Sequence, residues 1–210
     1  MRTIIFDFDG TIADSFDFVL DFLVQQSGKQ PMPEMADRQK FRRLSMIGIA
    51  RQLGISWVKL PWLLIAGRRE MARSMPNVKP VDGMLELLKN LNTNRYQLMI
   101  LSTNTSRTIR AFLKHYDLND HFVKIVGNVG VFGKAPALRR IMKSARVKPE
   151  DCIYIGDEVR DIEASSSIGI DCIAVSWGFA DMRFLSAASP LAVAETPSEL
   201  QTLISNLKDL

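Results

Sequence analysis

Apolar residues along this 210-residue chain follow two rhythms. Short runs of Ile, Val, Leu, Phe and Met occupy Thr3–Phe8, Gln97–Ser102, Val123–Val126, Cys152–Ile155, Cys172–Val175 and Leu191–Ala194. Runs this short, with little polar alternation, predict strands buried on both faces. Between them, at Gly83–Leu91, Ser106–Tyr116, Pro136–Ala145, Arg160–Ser167 and Ser198–Leu207, apolar residues recur three and four apart, the period of a helix with one buried face. Strands alternating with helices predict an α/β fold, a Rossmann-like parallel sheet covered by helices on both faces. Ligands of such sheets sit beyond the carboxyl ends of the strands.

One long stretch departs from this alternation. From the end of the first strand to Pro80 no strand pattern occurs, and helical patterns run over Phe16–Gln26, Asp37–Leu44, Met46–Leu53 and Pro61–Met75. Pro31 and Pro33 break the first pair, and Pro61 suits the first turn of the last helix. The expectation is a small all-helical unit of residues 15–80 inserted after the first strand of a core formed by 1–14 and 81–210.

Composition narrows the class. Hydrophobic residues at 47% and charged residues at 24% exclude a disordered chain, and the length leaves room for one substantial core with a modest insert. No apolar run reaches the roughly 18 residues a membrane helix needs, and Arg2 followed at once by strand-like sequence is unlike a secretory leader. A cytoplasmic protein is expected, monomeric or homodimeric and without a membrane partner. Cys152 and Cys172 each open an apolar run with no second Cys or His at metal-ligand spacing, so both read as reduced core thiols; His115 and His121 read as helix-end or surface residues. The net charge of +4 is unevenly placed: Ser15–Pro80 holds 11 Lys+Arg against 5 Asp+Glu, and the remainder 16 against 18. The basic excess belongs to the insert, where Arg42, Arg43, Arg51, Arg68 and Arg69 either solvate helices or attract an anion.

The chemistry lies at the strand ends. In IIFDFDGTIADS, Asp7 and Asp9 are two apart, so an extended backbone points both to one face. Two carboxylates that close lose several kcal/mol on burial unless a cation, a proton or hydrogen bonds offset the repulsion. Gly10 and Thr11 follow as a tight turn. The second strand ends in Ser102-Thr103-Asn104, which can donate to an anion. After the third, GNVGVFGKAP delivers Lys134 on a glycine-rich loop, and the fourth ends in the acidic loop Gly156-Asp157-Glu158-Val159-Arg160-Asp161. Singly, a D-x-D-G is most often a turn, an S-T-N a helix cap and a Lys after Gly a solvated residue. It is their order, each at a strand end, that is specific.

That order resembles the haloacid dehalogenase superfamily of hydrolases, whose four motifs are matched by DFDGT, the Ser102 region, Lys134 and GDEVRD. The likeness spans the whole chain, including a helical cap after the first motif as in the phosphoglycolate-phosphatase-like members. Two other likenesses fail. A phosphate loop G-x-x-x-x-G-K-[ST] would need Gly at Asn128 and a hydroxyl at Ala135. A helix-turn-helix reading of MIGIARQLGISWVKLPWLL puts an almost wholly apolar segment, interrupted by Pro61, where base edges would be read, so no nucleic-acid partner is expected.

A magnesium ion, which prefers hard oxygen ligands, would relieve the repulsion of the acidic pair. Ionised Asp7 in line with phosphorus can attack it and form an aspartyl phosphate. Asp9 then serves as general acid to the leaving alcohol and general base for water. Lys134 neutralises phosphate oxygens, while Gly10, Thr11, Ser102, Thr103 and Asn104 hold them. The resemblance implies a metal site of Asp7, the Asp9 backbone carbonyl and Asp157, with Asp161 binding a metal water or orienting Lys134. Glu158 is a further candidate ligand. The expected activity is hydrolysis of a small phosphate monoester; a phosphomutase and a non-catalytic phosphate-binding relative are the alternatives. The carboxylate at Asp9 argues against cleavage of carbon–halogen bonds and of phosphonates, whose enzymes lack one there.

Overall fold

The computed structural model describes residues 2–29, 34–42, 44, 46–74, 78–93, 96–130 and 133–207. Pro31, Pro33 and Arg43 lie outside these. Six strands, β1 (Thr3–Phe6), β2 (Gln97–Leu101), β3 (Phe122–Val126), β4 (Cys152–Gly156), β5 (Asp171–Val175) and β6 (Ala192–Ala194), form one sheet in the order β3-β2-β1-β4-β5-β6. Every neighbouring pair is parallel, with Phe6 opposite Ile100 on one side and Ile155 on the other. The chain therefore begins in the middle of the sheet, builds outward to β3, then crosses to β4 and builds the other way. The reversal lies between β1 and β4, the point of such a sheet beyond whose strand ends ligands bind.

Period-two alternation divides the strands between two cores. Ile4, Phe6, Leu98, Ile100, Ile153, Ile155, Ile173 and Val175 face α5 (Met84–Thr93), α6 (Ser106–His115) and α10 (Pro197–Asn206). Ile5, Met99, Leu101, Tyr154, Cys172 and Ala174 face α7 (Lys134–Ala145), α8 (Val159–Ser166) and α9 (Met182–Ala187). Cys152 and Cys172 are buried and free. No helix among the described residues is long and apolar enough to cross a membrane.

Among the described residues four α-helices separate β1 from α5: α1 (Phe16–Ser27), α2 (Met35–Arg42), α3 (Met46–Gln52) and α4 (Leu60–Ser74). They bury a third cluster, which includes Phe16, Leu20, Leu23, Phe41, Ile49 and Leu63 and takes in Phe179 from the loop after β5. The chain leaves the sheet and returns to it side by side. Asp14 N–H donates to the Lys79 carbonyl at 2.8 Å and Val81 N–H to the Ile12 carbonyl at 2.9 Å, around an antiparallel bridge of Ala13 with Pro80.

Candidate active site

Strand ends place the site. Asp7 extends β1 by one residue, its N–H donating to the Ile155 carbonyl at 2.8 Å, so its carboxylate emerges at the ends of β1 and β4. There Oδ1 accepts the Phe8 N–H at 2.8 Å and Oδ2 accepts Lys134 Nζ at 2.7 Å. Lys134 opens α7 and is itself buried, reaching both Asp7 and Asp161. Burial alone would push the Lys134 ammonium down, but Asp161 and Asp7 overcome it and hold the group above its ordinary value. Burial likewise raises Asp7, with Lys134 opposing and Asp161 adding to the rise.

Asp161 sits in the first turn of α8, where its Oδ2 accepts the Glu158 N–H at 3.1 Å and completes a capping box with Glu158. The Tyr154 hydroxyl approaches Asp161 Oδ1 at 3.4 Å from beneath, and Lys134 Nζ lies 5.7 Å from the Tyr154 ring centre. Asp157 follows β4 and is fully buried. Its partners are neutral: the Thr11 hydroxyl donates to Oδ1 at 2.9 Å and the Phe179 N–H to Oδ2 at 2.7 Å. Burial first, then the charges of Glu158, Asp7 and Asp161, push Asp157 well above the usual carboxylate range. Gly10, at φ +75°, lies flat against this carboxylate, and an added Cβ would collide with Asp157 and Phe179.

Asp7, Asp157 and Asp161 each offer an oxygen, and these oxygens lie within 4.8 Å of one another. Asp157 is a buried carboxyl with no Lys or Arg against it among the described residues, so the arrangement fits a hard divalent cation, whose positive charge would favour the ionised form that burial opposes. The Asp9 carboxylate is outside this group. Both of its oxygens accept from Asn104 Nδ2, at 3.3 and 3.1 Å, and the buried Ser15 hydroxyl lies near it without a bond of normal geometry. Burial and the Asp7 charge push Asp9 up to about 7, against the lowering by Asn104.

The phosphate-binding residues expected from the sequence are here, but several already have partners. The Thr11 hydroxyl serves Asp157 and the Asn104 amide serves Asp9. The Gly10 N–H turns inward to the Ala13 carbonyl at 2.9 Å, and buried Ser102 Oγ accepts the Asn104 N–H at 3.0 Å. Thr103 is half-buried in the loop two residues beyond β2. Glu158, raised by burial, is ion-paired to Arg160, whose Nε is buried without a hydrogen-bond partner among the described residues. Of the basic residues in the insert, Arg42 reaches the core, Arg51 and Arg69 are exposed, and Arg43 and the side chain of Arg68 are outside the described residues. The loop Trp177-Gly178-Phe179, which touches Asp157, carries no acid, base or hydroxyl, so residue type alone gave no sign of it.

Comparison with known proteins agrees with this geometry. Residues 4–175 match the model of the haloacid dehalogenase-like hydrolases. The phosphoglycolate phosphatase of Synechococcus elongatus is 34% identical over 99% of this chain and 99% of its own. A haloacid dehalogenase-like family hydrolase of Streptococcus pneumoniae superposes with a TM-score of 0.77 at 22% identity, covering 97% of this chain and 98% of that one. Protein Tyrosine Kinase A of Mycobacterium tuberculosis does so with a TM-score of 0.75 at 26% identity, covering 96% and 97%.

Proposed function

The chain belongs to the haloacid dehalogenase-like hydrolases, and on that premise we propose that it is a Mg2+-dependent phosphatase of small phosphate monoesters that works through an aspartyl phosphate on Asp7. The observation that carries this reading is the Asp7–Lys134–Asp161 chain beside Asp157: a buried nucleophile kept ionisable by an ammonium, in a cluster of three carboxyl groups whose oxygens lie close enough to share a cation.

Asp7, Asp157 and Asp161 would hold the metal, Asp161 directly or through water, together with the Asp9 backbone carbonyl. When bound, the metal supplies positive charge against the phosphate oxygens and the attacking carboxylate. Asp7 attacks phosphorus as the bond to the leaving oxygen breaks, and Asp9, protonated, gives that oxygen its proton. A water molecule then passes its proton back to Asp9 and attacks the phosphorus, which releases phosphate and restores the Asp7 carboxylate. Asp9 suits both tasks because its pKa of about 7 leaves acid and base forms populated near neutrality. Lys134 opposes the burial that would protonate Asp7, and its ammonium meets the phosphate oxygens as they approach. Thr103, Ser102 and the Gly10–Thr11 turn line the phosphate position, and Asn104 acts on it through Asp9.

The division of labour we propose is a core of residues 1–14 and 81–210 and a cap of 15–80 that selects the substrate. Phosphoglycolate is the first substrate to test, given the Synechococcus relative. Free buried thiols suit a reducing cytoplasm, as monomer or homodimer. The test is turnover of a panel of phosphate monoesters with Mg2+ and with excess chelator. Inorganic phosphate released one for one with alcohol, and lost with chelator, is expected. A bisphosphorylated product with little free phosphate would mark a mutase, and metal-independent turnover would overturn the reading.

A further inference from the structure

The loop after β5, Trp177-Gly178-Phe179-Ala180, is packed between the acidic cluster and the inserted helices. On the cluster side it wraps Asp157. The Phe179 N–H donates to Asp157 Oδ2 at 2.7 Å and the Ala180 N–H to the Asp157 carbonyl at 3.2 Å. An added Cβ at Gly178 would collide with the same carboxylate. Thr11, whose hydroxyl donates to Asp157 Oδ1, takes the Trp177 indole N–H on its own carbonyl at 3.1 Å.

On the other side, Phe16 and Arg42 of the insert touch the loop. The Phe16 and Phe179 rings pack with centroids 5.6 Å apart. Arg42, at the end of α2, donates from Nη1 to the Trp177 carbonyl at 3.3 Å. Arg42 is itself fixed, with its guanidinium 4.4 Å over the Phe16 ring and Nη2 facing Asp17 at 3.3 Å and Asp14 at 3.5 Å. A ring contact tolerates sliding, whereas the hydrogen bond to a backbone carbonyl is directional.

Both oxygens of Asp157 thus accept from groups whose positions depend on this loop. A carboxylate offers a metal the lone pairs its other partners leave free, so those partners set its direction as a ligand. The geometry points to Arg42 as a positioning residue: by holding the Trp177 carbonyl it fixes the loop that orients Asp157, and so couples docking of the inserted helices to the affinity of the acidic cluster for a divalent cation. The inference rests on reading Asp7, Asp157 and Asp161 as the metal site. Coupling of this kind is reciprocal, so a bound cation strengthens the docking of α2 by the same factor.

The test is the dissociation constant of Mg2+ and of Mn2+, measured by calorimetry without substrate. Arg42→Ala is expected to weaken both by about 3- to 10-fold, the range for one partly exposed charge-assisted hydrogen bond. Arg38→Ala, which removes ion pairs to Asp17 and Asp21 between the same two helices, is expected to stay within about 2-fold of wild type. Phe179→Leu loosens the loop from its other contact and carries the test if Arg42→Ala folds poorly. Its loss is expected to be less than additive with that of Arg42→Ala, because both act through one loop. Slowing of amide exchange in α2 on adding Mg2+ is expected in wild type and absent in Arg42→Ala. Wild-type affinity in folded Arg42→Ala, or in Phe179→Leu where that variant carries the test, would overturn the inference. So would an equal loss in Arg38→Ala, which would assign the effect to the insert's stability. A wild-type protein that binds neither ion would remove the metal reading itself.

Discussion

In the α/β core, apolar side chains fill both faces of six strands, and the charged side chains buried among the described residues, Asp7, Lys134, Asp157 and Asp161, all belong to the site. The inserted helices share one smaller cluster, and α1 and α2 are joined at the surface by Arg38 and Arg42 paired with Asp14, Asp17 and Asp21. Val58 and Trp62 stand exposed there. Partly exposed ion pairs of this kind contribute little each, on the order of 0–1 kcal/mol. Charge in the core is thus costly and held by burial; charge in the insert is cheap, and of its ion-paired arginines Arg42 is further tied to the core through the Trp177 carbonyl. A reaction needs the first kind of setting, and a surface that packs helices together can use the second.

The contrast breaks most easily at the nucleophile. Asp7→Asn is expected to lose several powers of ten in turnover of an aryl phosphate with Mg2+, because an amide cannot attack phosphorus. Normal turnover in that variant would mean the chemistry lies elsewhere.

Asp9→Asn comes next, with a loss in kcat of roughly 10²- to 10⁴-fold and Mg2+ affinity largely kept, since its carboxylate faces Asn104 rather than the acidic cluster. The sign of its pH dependence follows from the raised pKa. The acid step needs protonated Asp9, whose population falls as pH rises through about 7, so wild-type kcat/KM should decline above that value. An ordinary carboxylate would already be deprotonated near pH 4. A pH-rate profile of the wild type with no break near neutrality would contradict this assignment.

Hydrogen exchange separates the two regions without reference to activity. Amides of α1 and α2 should exchange at least about 10-fold faster than those of β1, β2 and β4, whose ladders are buried between two apolar layers. Equal protection would show that core and insert unfold as one unit. The smallest effect is expected at Arg51, exposed on α3: Arg51→Ala should change KM for any monoester by less than about 2-fold, with little salt dependence. A larger, substrate-selective rise would make Arg51 the anion-gripping residue of the insert.

Each strand was legible in the sequence to within two residues, because buried parallel strands leave unbroken apolar runs and their helices leave a 3.6-residue period. Helix α9, six residues long, is too short to show a period, and its start rests on Asp181, whose side chain accepts the Arg183 N–H. Strand ends also told which residues gather at the site. They could not tell how the donors pair: a hydroxyl or an amide next to a phosphate position looks the same whether it serves the phosphate or a neighbouring carboxylate. Here the Thr11 hydroxyl bonds Asp157 and the Asn104 amide bonds Asp9. The Trp177–Phe179 loop was invisible for a related reason, since it acts through backbone groups and ring packing that residue identity does not record.

The paired hydrogen bonds at Ile12–Asp14 and Lys79–Val81 bring the two ends of the 15–80 segment together. Topologically, that segment is a detour that starts and finishes at one address. Excising it leaves two adjacent antiparallel ends that a short turn can rejoin, with β1 and α5 still in register, and a different segment can be spliced in at the same seam without disturbing the sheet. The fold thereby treats the insert as an exchangeable part, and what a graft must preserve is the seam together with the contacts of Phe16 and Arg42 to the Trp177–Phe179 loop.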